Sequence, residues 1–200
     1  MARTLDDALG WVAVGTRLVH EGVAGLDESA LLEPTSLPGW TRKHVVAHLA
    51  ANAEAVGNLV HWAATGERTP MYSSPEQRAA DIEAGSTRSA VDLRAWFDDS
   101  AAALAGAMAA LSPAQWEAPV VTAQGRTVPA SETPWMRARE VMVHAVDLGV
   151  GTAFADLPAD FLAALVDDVL AKRGPGPLAD LAAWLTGRPS PITPALPAWL

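Results

Sequence analysis

Four long segments of helical apolar period, each cut off by proline or glycine, leave this chain few folds to choose among. Residues 5–24, LDDALGWVAVGTRLVHEGVA, set Leu5, Leu9, Trp11, Val12, Leu18 and Val19 along one broad stripe, as a helix with one buried face requires. Pro38 and Gly39 punctuate the chain before a second helix over 41–64, with Thr41 or a neighbour as its cap and an end near Gly66. Pro75 suits a first helical turn, and a third helical stretch follows over 76–84 and 89–110, broken near Gly85. The fourth starts after Pro134 and reaches about Gly149, whose missing side chain suits a helix end. Between the last two, residues 118–130, APVVTAQGRTVPA, place short β-favouring runs around Gln124 and Gly125 and predict a loop or small hairpin. Further on, PADFLAALVDDVLAKRG and PLADLAAWLTG predict two more helices, and the tail RPSPITPALPAWL is too rich in proline for either helix or central strand. The expected fold is mainly all-α: a four-helix bundle over residues 1–153 with the hairpin inserted, and a small helical extension over 154–200 packing on it.

A chain of 200 residues, half of them hydrophobic and 18% charged, buries a real core and is not disordered. No apolar run reaches the roughly 18 residues that cross a bilayer. Asp6 and Asp7 stand where a secretory signal would carry positive charge, so a cytoplasmic location is expected. The formal charge of −9 argues against nucleic acid and anionic membrane as partners, since both gain affinity from clustered Lys and Arg. A monomer is the favoured state. With no cysteine there is no disulfide, no thiolate metal site and no thiol nucleophile, so any sulfur chemistry must arrive on a small molecule.

Chemistry concentrates in REVMVHAVDLG, residues 139–149, where Glu140 and His144 stand four apart in an apolar setting. Positions four apart share a helix face, so the two side chains can converge on one point. A third ligand would come from the second helix, which offers His44, His48 and His61. His48 is preferred, being flanked by Val45, Leu49 and Val56 on the inward stripe. Two imidazoles and a carboxylate match the ligands of catalytic zinc, which keeps one position open. The spacing alone also fits a helix face with one hydrogen-bonded core histidine, and His44 with His48 forms a rival i, i+4 pair. Asp147 could orient a ligand, although the unfavourable dipole at a helix C-terminus argues for a bond elsewhere. Asn52 could face a cavity or simply sit at a helix contact. The tryptophans, Trp40, Trp62 and Trp135 among them, read first as packing groups.

The stretches GWTRKHVVAHLAANA, NLVHWAATGERTPMYSSPEQR, EAGST, TAQGRTVPASETPWMRAREVMVHAVDLG and the final PAWL resemble the mycothiol-dependent maleylpyruvate isomerases of the DinB-like superfamily of metal-binding four-helix bundles. The resemblance spans most of residues 39–150, loops included. It implies a divalent zinc on His48, Glu140 and His144, and mycothiol as a thiol cofactor. The implied reaction is cis-trans isomerisation of maleylpyruvate to fumarylpyruvate in the gentisate branch of aromatic catabolism. It further implies two arginines for substrate carboxylates, matching Arg78 in SPEQR and Arg188 in WLTGRPSP, with Arg126 a remoter third. The chain departs from the family at its C-terminal end, where AKRG passes through PGP straight to LADLAAWLTGR and the expected strands are missing. A mycothiol S-transferase and a noncatalytic metal-binding bundle are the alternatives.

Overall fold

Four of the long helices begin at a side chain that caps them. Thr4 and Asp7 form a reciprocal capping box at the head of α1 (Leu5–Ala24). Thr41 and His44 do the same for α3 (Arg42–Thr65), which stops at Gly66, in the left-handed region at φ 79°. Ser74 caps α4 (Pro75–Ser86), with Pro75 in its first turn, and Ser89 caps α5 (Ala90–Ala109). α7 (Thr133–Asp147) follows a 3₁₀ turn, and Gly149 behind it has φ 63°. Two single-turn helices, α2 (Glu28–Leu31) and α6 (Pro113–Trp116), join the long ones. The hairpin is present as β1 (Pro119–Val121) antiparallel to β2 (Thr127–Pro129), with Val120 opposite Val128 and Gly125 in the turn.

The computed structural model describes residues 3–173 together with Leu178, Asp180 and Leu181. One compact unit runs Thr4–Phe154; a second begins at Ala155, and of it α8 (Ala159–Arg173) is described, with Lys172 paired to Asp168 at 2.8 Å. The last predicted helix and the proline-rich tail lie largely outside the described residues, and Arg188 lies outside them altogether. Among the described residues no helix is long and apolar enough to cross a membrane.

Within the first unit α1, α7, α3 and α5 pack each on the next and α5 returns to α1, which closes a mainly α four-helix bundle. α4 lies against α3. One apolar cluster joins Val19, Val45, Leu49, Phe97, Val141 and Leu148; another joins Val56, Leu59, Leu104, Met108, Trp116 and Val120 under the hairpin. Burying each such side chain contributes about 1.5–3 kcal/mol. Two glycines let helices touch. A β-carbon on Gly15 would stand 2.5 Å from Val141 Cγ2, and one on Gly85 would stand 2.5 Å from the Trp96 ring and 2.9 Å from Ala47 Cβ. Gly85 is therefore a packing residue inside α4, and the expected break falls later, at Thr87–Ser89.

Candidate metal centre

α3 and α7 run antiparallel, since Arg42 of α3 reaches Leu148 O at 2.8 Å while Leu49 and Asn52 meet Arg137. His48 of α3 then faces Glu140 and His144 of α7. His48 Nε2 is 2.8 Å from Glu140 Oε2, His144 Nε2 is 3.5 Å from the same oxygen, and the two imidazoles stand edge to face at 5.0 Å. Each of the three offers a ligand atom, and these atoms all lie within 4.8 Å of one another. Both histidines are buried and Glu140 is nearly so.

The hydrogen-bond roles are mutually consistent. Arg78 Nη2 can only donate, so His48 Nδ1 at 3.3 Å accepts and His48 Nε2–H donates to Glu140. Burial pushes the His48 pKa down, in keeping with a neutral ring. Burial would lower His144 too, but the bonds to Asp147 and Glu140 outweigh it and raise the group to about 9. Burial would raise Glu140, yet hydrogen bonds from His144 and His48 hold its carboxyl well below the usual range. The metal-free cluster is thus a neutral His48, an ionised Glu140 and a protonated His144.

Asp147 bonds the neighbouring imidazole: its Oδ2 lies 2.8 Å from His144 Nδ1, and Ser36 Oγ donates to its other oxygen at 3.4 Å. A charge-assisted bond of about 1.5–3 kcal/mol outweighs a terminal dipole cost of about 0.3–1 kcal/mol. Arg78 is half-buried beside His48, with its guanidinium carbon 5.7 Å from the Tyr72 ring centroid. Burial pushes the Tyr72 hydroxyl up, against the opposing pull of Arg78 and Asn52. Trp40 lines the site, its ring 5.4 Å from that of His48, whereas Trp135 packs edge-on to Trp11 in the core and Trp62 packs beside the second apolar cluster. His44 does not join the triad; its Nδ1 serves the Thr41 cap and its Nε2 is 3.4 Å from Glu83. His61 and Arg126 are exposed, Arg126 beside the hairpin turn. Sequence reasoning missed Tyr72 and Arg137. An arginine three before Glu140, on the same helix face, was the available signal for the second.

Residues 12–149 match the family described as mycothiol maleylpyruvate isomerase N-terminal domain. Among solved structures, the chain is similar to a crystal structure of the mycothiol-dependent maleylpyruvate isomerase, with 46% identity, a TM-score of 0.80, and coverage of 84% of this chain and 70% of that one. It is equally similar to a histidine-to-alanine mutant of that isomerase, at 45% identity and the same TM-score and coverage. No curated protein matches. The match takes in α1 from Val12 onward, the whole of α3, α5 and α7 and the hairpin, with His48, Glu140 and His144 inside it, and the chain belongs to the mycothiol maleylpyruvate isomerase N-terminal domain family.

Proposed function

We propose that this chain is a cis-trans isomerase converting maleylpyruvate to fumarylpyruvate, with mycothiol as a regenerated thiol and a divalent metal, zinc by preference, on His48, Glu140 and His144. The observation that carries this reading is the convergence of two buried imidazoles and one carboxylate from two helices, in a chain whose relative of known structure is a mycothiol-dependent isomerase. The residues fit the metal. Two nitrogens and an oxygen are the ligand types of catalytic zinc sites with an open position. The Asp147 bond on His144 Nδ1 leaves Nε2 as the coordinating atom, the usual carboxylate-histidine-metal arrangement. His48 offers Nε2 only with its proton on Nδ1, so its contact with Arg78 must give way to a bound cation. That leaves the guanidinium's donors for a carboxylate.

A divalent cation held there supplies the charge that lowers a thiol's pKa, and mycothiol supplies the sulfur nucleophile that a chain without cysteine lacks. Turning a cis alkene into its trans isomer needs the double bond to become single long enough to rotate, which reversible thiol addition achieves. The chain's own residues bind and orient. Arg78 presents a planar fork to a substrate carboxylate. Asp147 holds the His144 ring, and Trp40 with the apolar clusters limits water at the site, where electrostatic interactions are stronger than in bulk. Arg188 is the second candidate for a carboxylate. The reading places the reaction in the gentisate branch, in the cytoplasm, where a reduced thiol is kept. The test follows absorbance and free thiol together while maleylpyruvate reacts with substoichiometric mycothiol. Complete conversion with the thiol unspent is expected. Thiol consumed mole for mole would make the protein a transferase, and no conversion by metal-loaded protein would make it a binding module.

A further inference from the structure

Arg137 has no solvent exposure and ranks among the largest fully buried side chains of the described residues. Its Nη1 donates to Leu49 O at 2.7 Å and to Asn52 Oδ1 at 2.9 Å, while Nε and Nη2 have no hydrogen-bond partner. Burial pushes the guanidinium down to about 10, the mark of a charge taken out of water at a cost. An aliphatic side chain of similar volume would fill the space without that cost. What the guanidinium has and an aliphatic group lacks is direction.

Both acceptors are on α3, and their positions matter. Leu49 adjoins His48, and Asn52 lies one turn beyond it; the donor on α7 lies one turn before Glu140. Leu49 sits inside α3, so its carbonyl accepts through the lone pair that the helix ladder leaves over. At the opposite end of this helix pair, Arg42 Nε of α3 donates to Leu148 O at the close of α7. The triad thus lies between two arginine ties running in opposite senses between the same two helices. Slipping one helix by a single residue displaces its side chains by about 1.5 Å. Ligand distances tolerate only about 0.2 Å.

We infer that Arg137, through Leu49 and Asn52, is a positioning residue that fixes the register of α3 against α7 and thereby the geometry in which His48, Glu140 and His144 take a metal. The inference rests on the metal reading of the triad. Its test uses cobalt(II) as the probe, on the full chain, with affinity from chelator competition, the visible absorption spectrum as a report on ligand geometry, and the melting temperature of the metal-free protein. The main variant is Arg137→Met with Asn52→Leu, which removes the buried polar pair together and leaves neither partner stranded. It should melt at or above the parental temperature while cobalt affinity falls about 10- to 100-fold and the spectrum changes. A folded double variant with parental affinity and spectrum overturns the inference, because a merely structural arginine would move the melting temperature and nothing else. Should the double variant not fold, Asn52→Ala, which deletes one acceptor, is read the same way, with about a tenfold loss expected and parental affinity overturning the inference. Parent protein that takes up no cobalt refutes the metal reading itself; parent that binds beside variants that bind as well refutes only the tie.

Discussion

Replacing Asp147 by Asn keeps the size of the side chain and an acceptor oxygen, but removes the negative charge 2.8 Å from His144 Nδ1. The two side chains are 19% and 6% exposed, so solvent screens the pair little. A charge-assisted bond there is worth about 1.5–3 kcal/mol, or about 10- to 100-fold in metal affinity at about 1.4 kcal/mol per tenfold. That loss shows in full only where His144 is already deprotonated. In the metal-free protein His144 titrates at about 9, so at pH 7 a cation must first displace a proton, which weakens parental binding by about 100-fold. The variant lacks the leading cause of that raised value and carries less of the penalty. The two effects oppose each other at neutral pH and part company in alkali. Chelator competition with zinc across a pH series should find the variant near the parent at pH 7 and about 10- to 100-fold weaker near pH 9.5. A gap that does not widen with pH, or a variant that binds more tightly in alkali, refutes the reasoning.

Arg78→Ala should lower kcat/KM for maleylpyruvate about tenfold or more, from loss of charged hydrogen bonds to a carboxylate; parental kinetics would remove Arg78 from the substrate site. The metal-free protein should lose stability in alkali. A His144 pKa raised from 6.5 to about 9 contributes up to about 3 kcal/mol, fully present below about pH 6.5 and lost as pH climbs toward 9. Glu140, held low, contributes in the opposite sense, with its stabilisation present above its ordinary 4.5 and lost on acidification. Melting temperature should therefore peak between about pH 4.5 and 6.5, and a flat profile from 6.5 to 9 would contradict the protonated His144. Gly15→Ala puts a β-carbon against Val141 Cγ2 at 2.5 Å and Met142 N at 3.1 Å, and should cost about 1–3 kcal/mol, read as a melting point lower by about 2–4 °C per kcal/mol. No shift would mean that α1 and α7 part freely.

What could be read along the chain was whatever short-range chemistry decides. Thr41, Pro75, Gly66 and Gly149 mark helix ends because caps and left-handed turns depend on a few adjacent residues. The pairing of Glu140 with His144 follows from helix pitch alone. Preferring His48 to His44 needed the apolar stripe; in the structure His44 is taken up by its own helix cap. What escaped was settled between elements distant in sequence. Gly85 reads as a breaker until Trp96 and Ala47 are seen to need its missing side chain. α2 and α6 are one turn each, too short to show a period. Arg137 looks like any surface arginine until α3 is brought alongside, and Asp147 looks misplaced at a helix end until His144 is seen to need it.

The account stands on a cation held jointly by α3 and α7, and anomalous X-ray diffraction at the zinc edge, from crystals grown with zinc, tests that most directly. It predicts one strong peak about 2.0–2.2 Å from His48 Nε2, His144 Nε2 and a Glu140 carboxylate oxygen. A map with no peak among those three side chains, or with the ion bound elsewhere, contradicts it.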